Sequence, residues 1–204
     1  MDILIGTRNQ YKLTEMVNFL KGLDEIKIHY LDEIKDQIKV EEDQDSLEDN
    51  ANKKAIEISK YTDYFVLTSD GGVDIPGLGD KWDILRNQRI VGENNSDQEK
   101  VKNLINLMSE LKNEDRKCTY YLALSLAKNG KLIWNFKDIY DTGYIIEKPD
   151  NSKIPQYRWM GHIWYYPRYQ RVFNQLNETE INEVRQQGNN IKENLHQCIK
   201  KLTK

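Results

Sequence analysis

Cysteine is scarce. Cys118 and Cys198 are the only two in 204 residues and lie far apart without CxxC spacing, so no disulfide framework can be read from the pattern. Histidine is nearly as rare: His29, His162 and His196 are scattered, which makes a zinc centre improbable. No apolar run approaches the roughly 20 residues that span a bilayer. The opening MDILIGTRN lacks the basic, apolar and small-residue regions of a signal peptide. The expected setting is therefore a reducing cytoplasm, away from membranes. Charge excess is missing as well: 30 basic and 33 acidic residues, net −3, are mixed along the chain, leaving no basic stripe to track a long nucleic acid. There is no Walker A glycine-lysine loop and no GxGxxG turn after a strand. Internal repeats and low-complexity linkers are lacking too.

What is present suffices for one folded unit, with 38% hydrophobic and 31% charged residues. Ile3 to Ile5 is a short apolar run ending at Gly6-Thr7, after which Leu13, Met16, Val17 and Leu20 recur at helical spacing. A second helix is expected over Ala51, Ala55, Ile56 and Ile58, with Ser46 and Asp49 as start signals. Tyr64 to Leu67 reads as a buried strand ending in the polar, glycine-containing turn Thr68-Ser69-Asp70-Gly71-Gly72. Val101, Leu104, Ile105, Met108 and Leu111 mark a third helix. Thr119 to Leu126 and Lys131 to Phe136 flank the hairpin dipeptide Asn129-Gly130. A last helix runs from about Thr179 to Leu202, interrupted near Gly188-Asn189-Asn190. Strand-helix units with a hairpin imply an α/β fold with a mixed sheet.

Three constellations carry chemistry. Thr7-Arg8-Asn9-Gln10-Tyr11-Lys12 lies between a strand and a helix start, where free backbone N–H groups and the dipole favour an anion. Thr7, Asn9 and Lys12 add hydroxyl, amide and ammonium donors for a phosphate. The same residues also suit an ordinary capped helix with a solvated lysine. Glu41, Glu42, Asp43, Asp45, Glu48 and Asp49 precede a helix bearing Asn50, Lys53 and Lys54, and carboxylates there favour the macrodipole whatever else they do. Asp70 follows a buried strand, and Gly71 and Gly72 after it permit close approach of a ligand. One carboxylate from each acidic segment could hold Mg²⁺, a hard cation that takes oxygen ligands and bridges to substrate phosphates. Lysines would balance the remaining charge.

Taken in order, these segments resemble the inosine triphosphate (non-canonical purine nucleoside triphosphate) pyrophosphatase family. Gly6-Thr7-Arg8-Asn9-Gln10-Tyr11-Lys12-Leu13-Thr14-Glu15 is similar to its TxNxxKxxE opening. Ser46 to Ala55 resembles its T-F-x-E-N-A-x-x-K-A helix and puts the family's metal-binding glutamate at Glu42. Leu67 to Val73 resembles A-D-D-S-G-L, placing the catalytic second aspartate at Asp70, while the first has become Ser69. Phe173 to Asn182 resembles F-A-E-M-S-x-E-E-K-N, with Ile181 in place of its lysine. The resemblance implies an elongated two-lobed mixed sheet with flanking helices and a central cleft, formed by residues 1–204 as a single domain and usually a homodimer. It further implies hydrolysis of a nucleoside triphosphate to monophosphate and pyrophosphate with Mg²⁺ on Glu42 and Asp70. Asp70, Lys12 and Lys54 are then the catalytic candidates, with Thr7, Arg8, Asn9, Asn50 and Gly71 joining the two lysines in binding substrate.

The departures fall at the base-recognition end. The family's S-H-R triplet becomes Arg185-Gln186-Gln187, and its G-F-G-Y-D-P-I-F stretch aligns with Tyr157-Arg158-Trp159-Met160-Gly161-His162-Ile163-Trp164, which loses the aspartate at Gly161. Gln186 and Gln187 are neutral and can donate and accept, so a base other than inosine or xanthosine is expected. Arg158 and Arg185 are possible substitute cations outside the expected places. The aromatic cluster Tyr157, Trp159, Trp164, Tyr165, Tyr166 and Tyr169 suits a core or dimer interface. The other role for it is a base-stacking wall, with Trp159 as its candidate. Ser69, Gly161, Ile181, Gln186 and Gln187 also admit a second reading, a catalytically weak homologue that binds a nucleotide as a sensor or partner protein.

Overall fold

Among the described residues, seven strands form one sheet in the order β2-β1-β3-β4-β5-β6-β7. The computed structural model describes residues 1–34, 38–149 and 159–203. The strands are β1 (Asp2–Ile5), β2 (Lys27–Tyr30), β3 (Phe65–Asp74), β4 (Lys117–Lys128), β5 (Lys131–Ile145), β6 (Trp164–Tyr166) and β7 (Arg171–Val172). The helices are α1 (Gln10–Leu20), α2 (Leu47–Ile58), α3 (Asn87–Val91), α4 (Asp97–Leu107), α5 (Glu178–Arg185) and α6 (Asn189–Leu202). β1 pairs in parallel with β2 and β3, whereas β5 to β6 and β6 to β7 are antiparallel, so the sheet is mixed as expected. Among the described residues no helix is long and apolar enough to cross a membrane.

The chain divides into two compact units. The first comprises Met1–Gly71, Leu122–Asp138 and Gly188–Lys204; the second comprises Gly72–Tyr121 and Ile139–Gln187. In the first unit, Ile3, Leu4 and Ile5 are fully buried in β1. That explains a continuous apolar run, since a parallel strand is covered on both faces. Helix α6 buries Ile191, Leu195 and Ile199, each contributing roughly 1.5–3 kcal/mol of hydrophobic stabilisation. In the second unit, Val73, Ile75, Leu104, Met108, Ile145, Ile163 and Trp164 form a core to which Trp159 and Tyr166 also belong.

Two expectations need correction. The strand anticipated to stop at Leu67 continues as β3 through Ser69, Asp70 and both glycines to Asp74. Packing holds the segment extended: a Cβ on Gly72 would lie 2.4 Å from the backbone oxygen of Ile84, so the glycine permits close approach, not a turn. The last helix is two helices, α5 and α6, separated by a tight turn over Gln186–Gly188, and α6 begins already at Asn189. The Asn129-Gly130 hairpin forms as expected, with φ of 51° and 72°, the left-handed pair that a two-residue turn requires. Strands β2, β6 and β7 and the short helix α3 were not foreseen, because each is too short to show a period.

Candidate functional site

β1 ends at Ile5, and the chain passes through Gly6 and Thr7 to Asn9, which caps α1. The Asn9 side-chain oxygen accepts from Tyr11 N at 2.9 Å and Lys12 N at 3.2 Å, while Thr7 Oγ1 accepts from Asn9 N at 3.2 Å. The capped-helix account of this segment is therefore correct, and the cap also fixes where Lys12 emerges. Arg8 is occupied elsewhere: its guanidinium donates to the Ile38 carbonyl at 3.2 Å and lies 3.5 Å from Asp32, bracing the segment after β2.

Helix α2 is capped by Ser46, whose hydroxyl oxygen accepts from Asp49 N at 3.0 Å. Its buried face, Leu47, Ala51, Ala55 and Ile58, turns Lys53 and Lys54 toward the acidic segment before it. That segment is held at several points. Gln44 N donates to the buried Asn50 Oδ1 at 3.0 Å, and Lys53 Nζ donates to Asp43 at 2.6 Å. Asn50, expected to bind substrate, is committed to this brace. Of the six acidic residues, Glu42 alone meets Lys54, at 2.5 Å. Ser46 takes Asp49, and Glu48 pairs with Lys137 at 2.6 Å.

Asp70, on β3, completes the group. Lys12 Nζ lies 3.5 Å and Lys54 Nζ 3.6 Å from the same oxygen, Asp70 Oδ1. Lys12, Glu42, Lys54 and Asp70 thus form one network of two cations and two anions in the first unit. The Asp70 side chain is 8% exposed and that of Lys54 12%, but Glu42 is half exposed, so one side faces solvent. Burial, followed by the charge of Lys54, holds the Lys12 ammonium below its ordinary range, with Asp70 and Glu42 acting the other way. Thr68, beside Asp70, donates its hydroxyl to the Ala51 carbonyl at 2.7 Å and ties β3 to α2.

No group of three or more His, Cys, Asp and Glu side chains suited to a metal occurs among the described residues. Two carboxylates are nonetheless what Mg²⁺ commonly takes from protein, with waters and substrate phosphates completing its octahedron. Glu42 and Asp70 share Lys54 as a partner and include one solvent-facing carboxylate, so the donor set fits this ion and not zinc.

The remaining expected residues lie in the second unit. Trp159 is 6% exposed and packed in the core, as are Trp164 and Tyr166, so the core role holds for these aromatics and Trp159 has little face to offer a base. Tyr157 and Arg158 lie outside the described residues. Ile181 packs against the same core. At Gly161 a Cβ would come 2.6 Å from Asn174 Oδ1 and 3.1 Å from Phe173, so local packing leaves no room for an aspartate. Gln186 and Gln187 are exposed in the turn after α5. Gln187 joins a cluster that sequence reasoning missed. Its Oε1 accepts from the Thr142 hydroxyl at 2.9 Å, its Nε2 donates to Asp141 Oδ1 at 3.4 Å, and the Tyr166 hydroxyl donates to Asp141 Oδ2 at 2.5 Å. Burial pushes the Asp141 carboxyl up to about 7, against the opposing bonds from Tyr166 and the Thr142 backbone N–H. One acid within a long strand gives no sequence signal.

Residues 3–197 match the Ham1 family. The chain belongs to that family. A relative from Clostridium perfringens, named dITP/XTP pyrophosphatase, is 26% identical, covering 97% of this chain and 98% of the relative. Another of that name, from Oceanobacillus iheyensis, is 27% identical and covers 93% of each. Two solved structures share the fold. The HAM1 protein from Coxiella burnetii has a TM-score of 0.78 at 24% identity, covering 97% of this chain and 99% of that one. The Staphylococcus aureus Ham1 protein has a TM-score of 0.76 at 21% identity, covering 96% and 98%. Membership of this Ham1 family is what the four ordered motifs led us to expect.

Proposed function

We propose that this Ham1 protein is a nucleoside triphosphate pyrophosphatase. It hydrolyses an NTP or dNTP to the monophosphate and pyrophosphate, with a base preference moved away from inosine and xanthosine. The observation that carries the reading is the Lys12–Asp70–Lys54–Glu42 network, two lysines and two carboxylates drawn from α1, β3, α2 and the segment before α2. Phosphoryl chemistry demands mainly positioning and charge neutralisation. Lys12 and Lys54 supply the cations, releasing their carboxylates as the phosphates bind. Thr7, Asn9 and the N–H groups at the start of α1 cradle a phosphate, and Gly71 lets it approach β3. Glu42 and Asp70 would hold Mg²⁺, which when bound neutralises phosphate charge and polarises the phosphorus being attacked.

In this reaction a water oxygen bonds to the α-phosphorus while the bridge from that phosphorus to the β-phosphate oxygen breaks, and pyrophosphate leaves. Asp70, released by the two lysines that hold its Oδ1 in the absence of substrate, takes the water's proton. Arg8 and Asn50 support the site through the contacts described above, and Trp159 through the core. Gln186 and Gln187 are the candidates for reading the base. The same reading takes the protein as a cytoplasmic homodimer; both cysteines are free thiols, in keeping with a reducing compartment.

The test is a broad panel of nucleoside triphosphates incubated with Mg²⁺, scored for monophosphate and pyrophosphate. Turnover of at least one, lost on chelation, is expected. No turnover of any would sink the proposal, and triphosphate binding without product would establish the sensor reading instead.

A further inference from the structure

We infer that Asp141 is a specificity-determining residue that reads the exocyclic amino group of the nucleobase, with the Gln187 amide beside it reading the neighbouring ring nitrogen. This rests on the reading above, in which Gln187 is a candidate for reading the base. The family resemblance gave Asp141 no role, and it is the geometry within the second unit that brings the two side chains together.

The hydrogen-bonding capacity of the cluster is incompletely used. Asp141 Oδ2 accepts from the Tyr166 hydroxyl at 2.5 Å and Oδ1 accepts the long 3.4 Å bond from Gln187 Nε2, while the Thr142 backbone N–H also donates to the carboxylate. A carboxylate has about four acceptor sites, so one remains after these three bonds. The Gln187 amide is oriented by Thr142, whose hydroxyl occupies Oε1 at 2.9 Å. With the oxygen so fixed, Nε2 lies on the Asp141 side, and the second hydrogen of that NH₂ group remains for a ligand. An acceptor and a donor are therefore presented side by side.

Their depths decide the orientation of the bound edge. Asp141 is half-buried, whereas Gln187 is exposed. The exocyclic substituent of a base projects beyond its ring nitrogen and so meets the deeper group. Gly143, whose place a Cβ could not take without coming 2.4 Å from Trp164 Nε1, lets the β6 side chains lie close over β5. With Tyr144 paired to Tyr165 and Ile145 to Trp164, the continuing register brings Gly143 beside Tyr166, whose hydroxyl reaches along the strand to Asp141. The carboxyl is thus anchored from the neighbouring strand. An amino group next to an unprotonated ring nitrogen, as in adenine or cytosine, satisfies both the carboxylate and Nε2. A carbonyl next to a ring N–H, as in hypoxanthine or uracil, sets oxygen against oxygen and N–H against N–H. Sites built to bond a polar group reject the analogue that lacks it strongly.

The charge of Asp141 sharpens this choice. The groups acting on it are the Tyr166 hydroxyl on β6 and the Thr142 backbone N–H on β5, and its charge in turn acts on the Cys118 thiol on β4, which burial first and then Asp141 push up. Burial sets the carboxyl to titrate near 7. Below that, the neutral acid offers a proton and tolerates a carbonyl; above it, only an amino donor fits.

The experiment compares dATP with dITP, which differ at the exocyclic position and its neighbouring ring nitrogen, by kcat/KM at pH 6 and pH 8 on the full-length protein. The dATP to dITP ratio should rise on the order of tenfold across this interval, because one proton separates the two preferences. Asp141→Asn should flatten the ratio with pH, and Tyr166→Phe should move its midpoint upward by removing the bond that favours the carboxylate. Thermal midpoints establish that both variants fold. A ratio in the wild type that does not change with pH, or a preference for dITP at pH 8, would overturn the assignment while leaving the pyrophosphatase reading intact. If no triphosphate turns over, that reading fails instead. Calorimetric Kd values for the same pair at both pH values then decide the base assignment, with equal affinities or no binding overturning it.

Discussion

Asp70→Asn replaces a carboxylate by an amide of nearly equal volume, and the structure turns this small change into two separate measurable losses. Lys12 and Lys54 lie 3.5 Å and 3.6 Å from Asp70 Oδ1. At an effective dielectric of about 20, each such pair has a Coulomb energy of roughly 5 kcal/mol. Solvent reduces the figure for Lys12, whose side chain is a quarter exposed. Lys54 keeps Glu42 at 2.5 Å, and the amide oxygen still accepts a hydrogen bond. A net destabilisation of about 1–3 kcal/mol follows, which for a chain this long lowers Tm by roughly 3–10 °C. The sign of the pH dependence provides a check. Lys12 is held below its ordinary 10.5 in the folded protein, so between its folded value and 10.5 the unfolded chain binds more protons and stability rises with pH. Removing Asp70, which favours the ammonium, lowers Lys12 further and widens that window. The stability deficit of Asp70→Asn should therefore shrink toward alkaline pH. Turnover, followed by pyrophosphate release, should fall by about 10²–10⁴ with the loss of the proton acceptor. A variant that keeps a tenth or more of wild-type kcat would refute the catalytic assignment. An unchanged Tm would refute the electrostatic one.

Two further outcomes follow from contacts away from this network. Arg116 is 4% exposed and donates to the carbonyls of Ile145, Ile146 and Met108 at 2.7 Å each and of Leu111 at 3.2 Å. Arg116→Met should cost about 3–5 kcal/mol in a denaturant titration by stranding those acceptors, and a cost under about 1 kcal/mol would contradict that role. His29 lies between Glu33 and Asp2 at 2.8 Å each and stacks on Tyr64, and the bonds to Glu33 and then Asp2 raise its proton affinity. The stabilisation is full below the ordinary 6.5 and is lost as pH rises through the raised value. The Tm gap between wild type and His29→Gln should therefore be largest in mild acid and close on the alkaline side; a gap independent of pH would refute the charge on His29.

The elements that were legible are those written in local periodicity. β1, α1, α2, α4 and the Asn129-Gly130 hairpin follow from apolar spacing, capping side chains and turn residues a few positions apart. Ser46, Asn9 and the break near Gly188 could all be seen in this way. β3 was misjudged at its end because Ser69-Asp70-Gly71-Gly72 has the composition of a turn. Its pairing with β4 in the sheet and the packing of Ile84 on Gly72 hold it extended.

Taken by itself, the sequence determined the Ham1 membership, the α/β class and the candidates Lys12, Lys54, Glu42 and Asp70, because ordered motifs preserve residue identity at fixed spacing. Tertiary structure decided which candidates meet. Lys12 and Asp70 lie 58 positions apart and are brought together by the parallel pairing of β1 with β3 and the Asn9 cap that starts α1. The same packing assigned Asn50 to bracing the Glu42 segment, Arg8 to Ile38 and Asp32, and Trp159 to a core. It also raised Asp141, an unremarked acid in a strand, to a carboxyl titrating near 7 beside Gln187. The physical reason is the same in each case. A side chain's partners and its desolvation depend on segments remote in the chain, and local periodicity does not record where those segments come to lie.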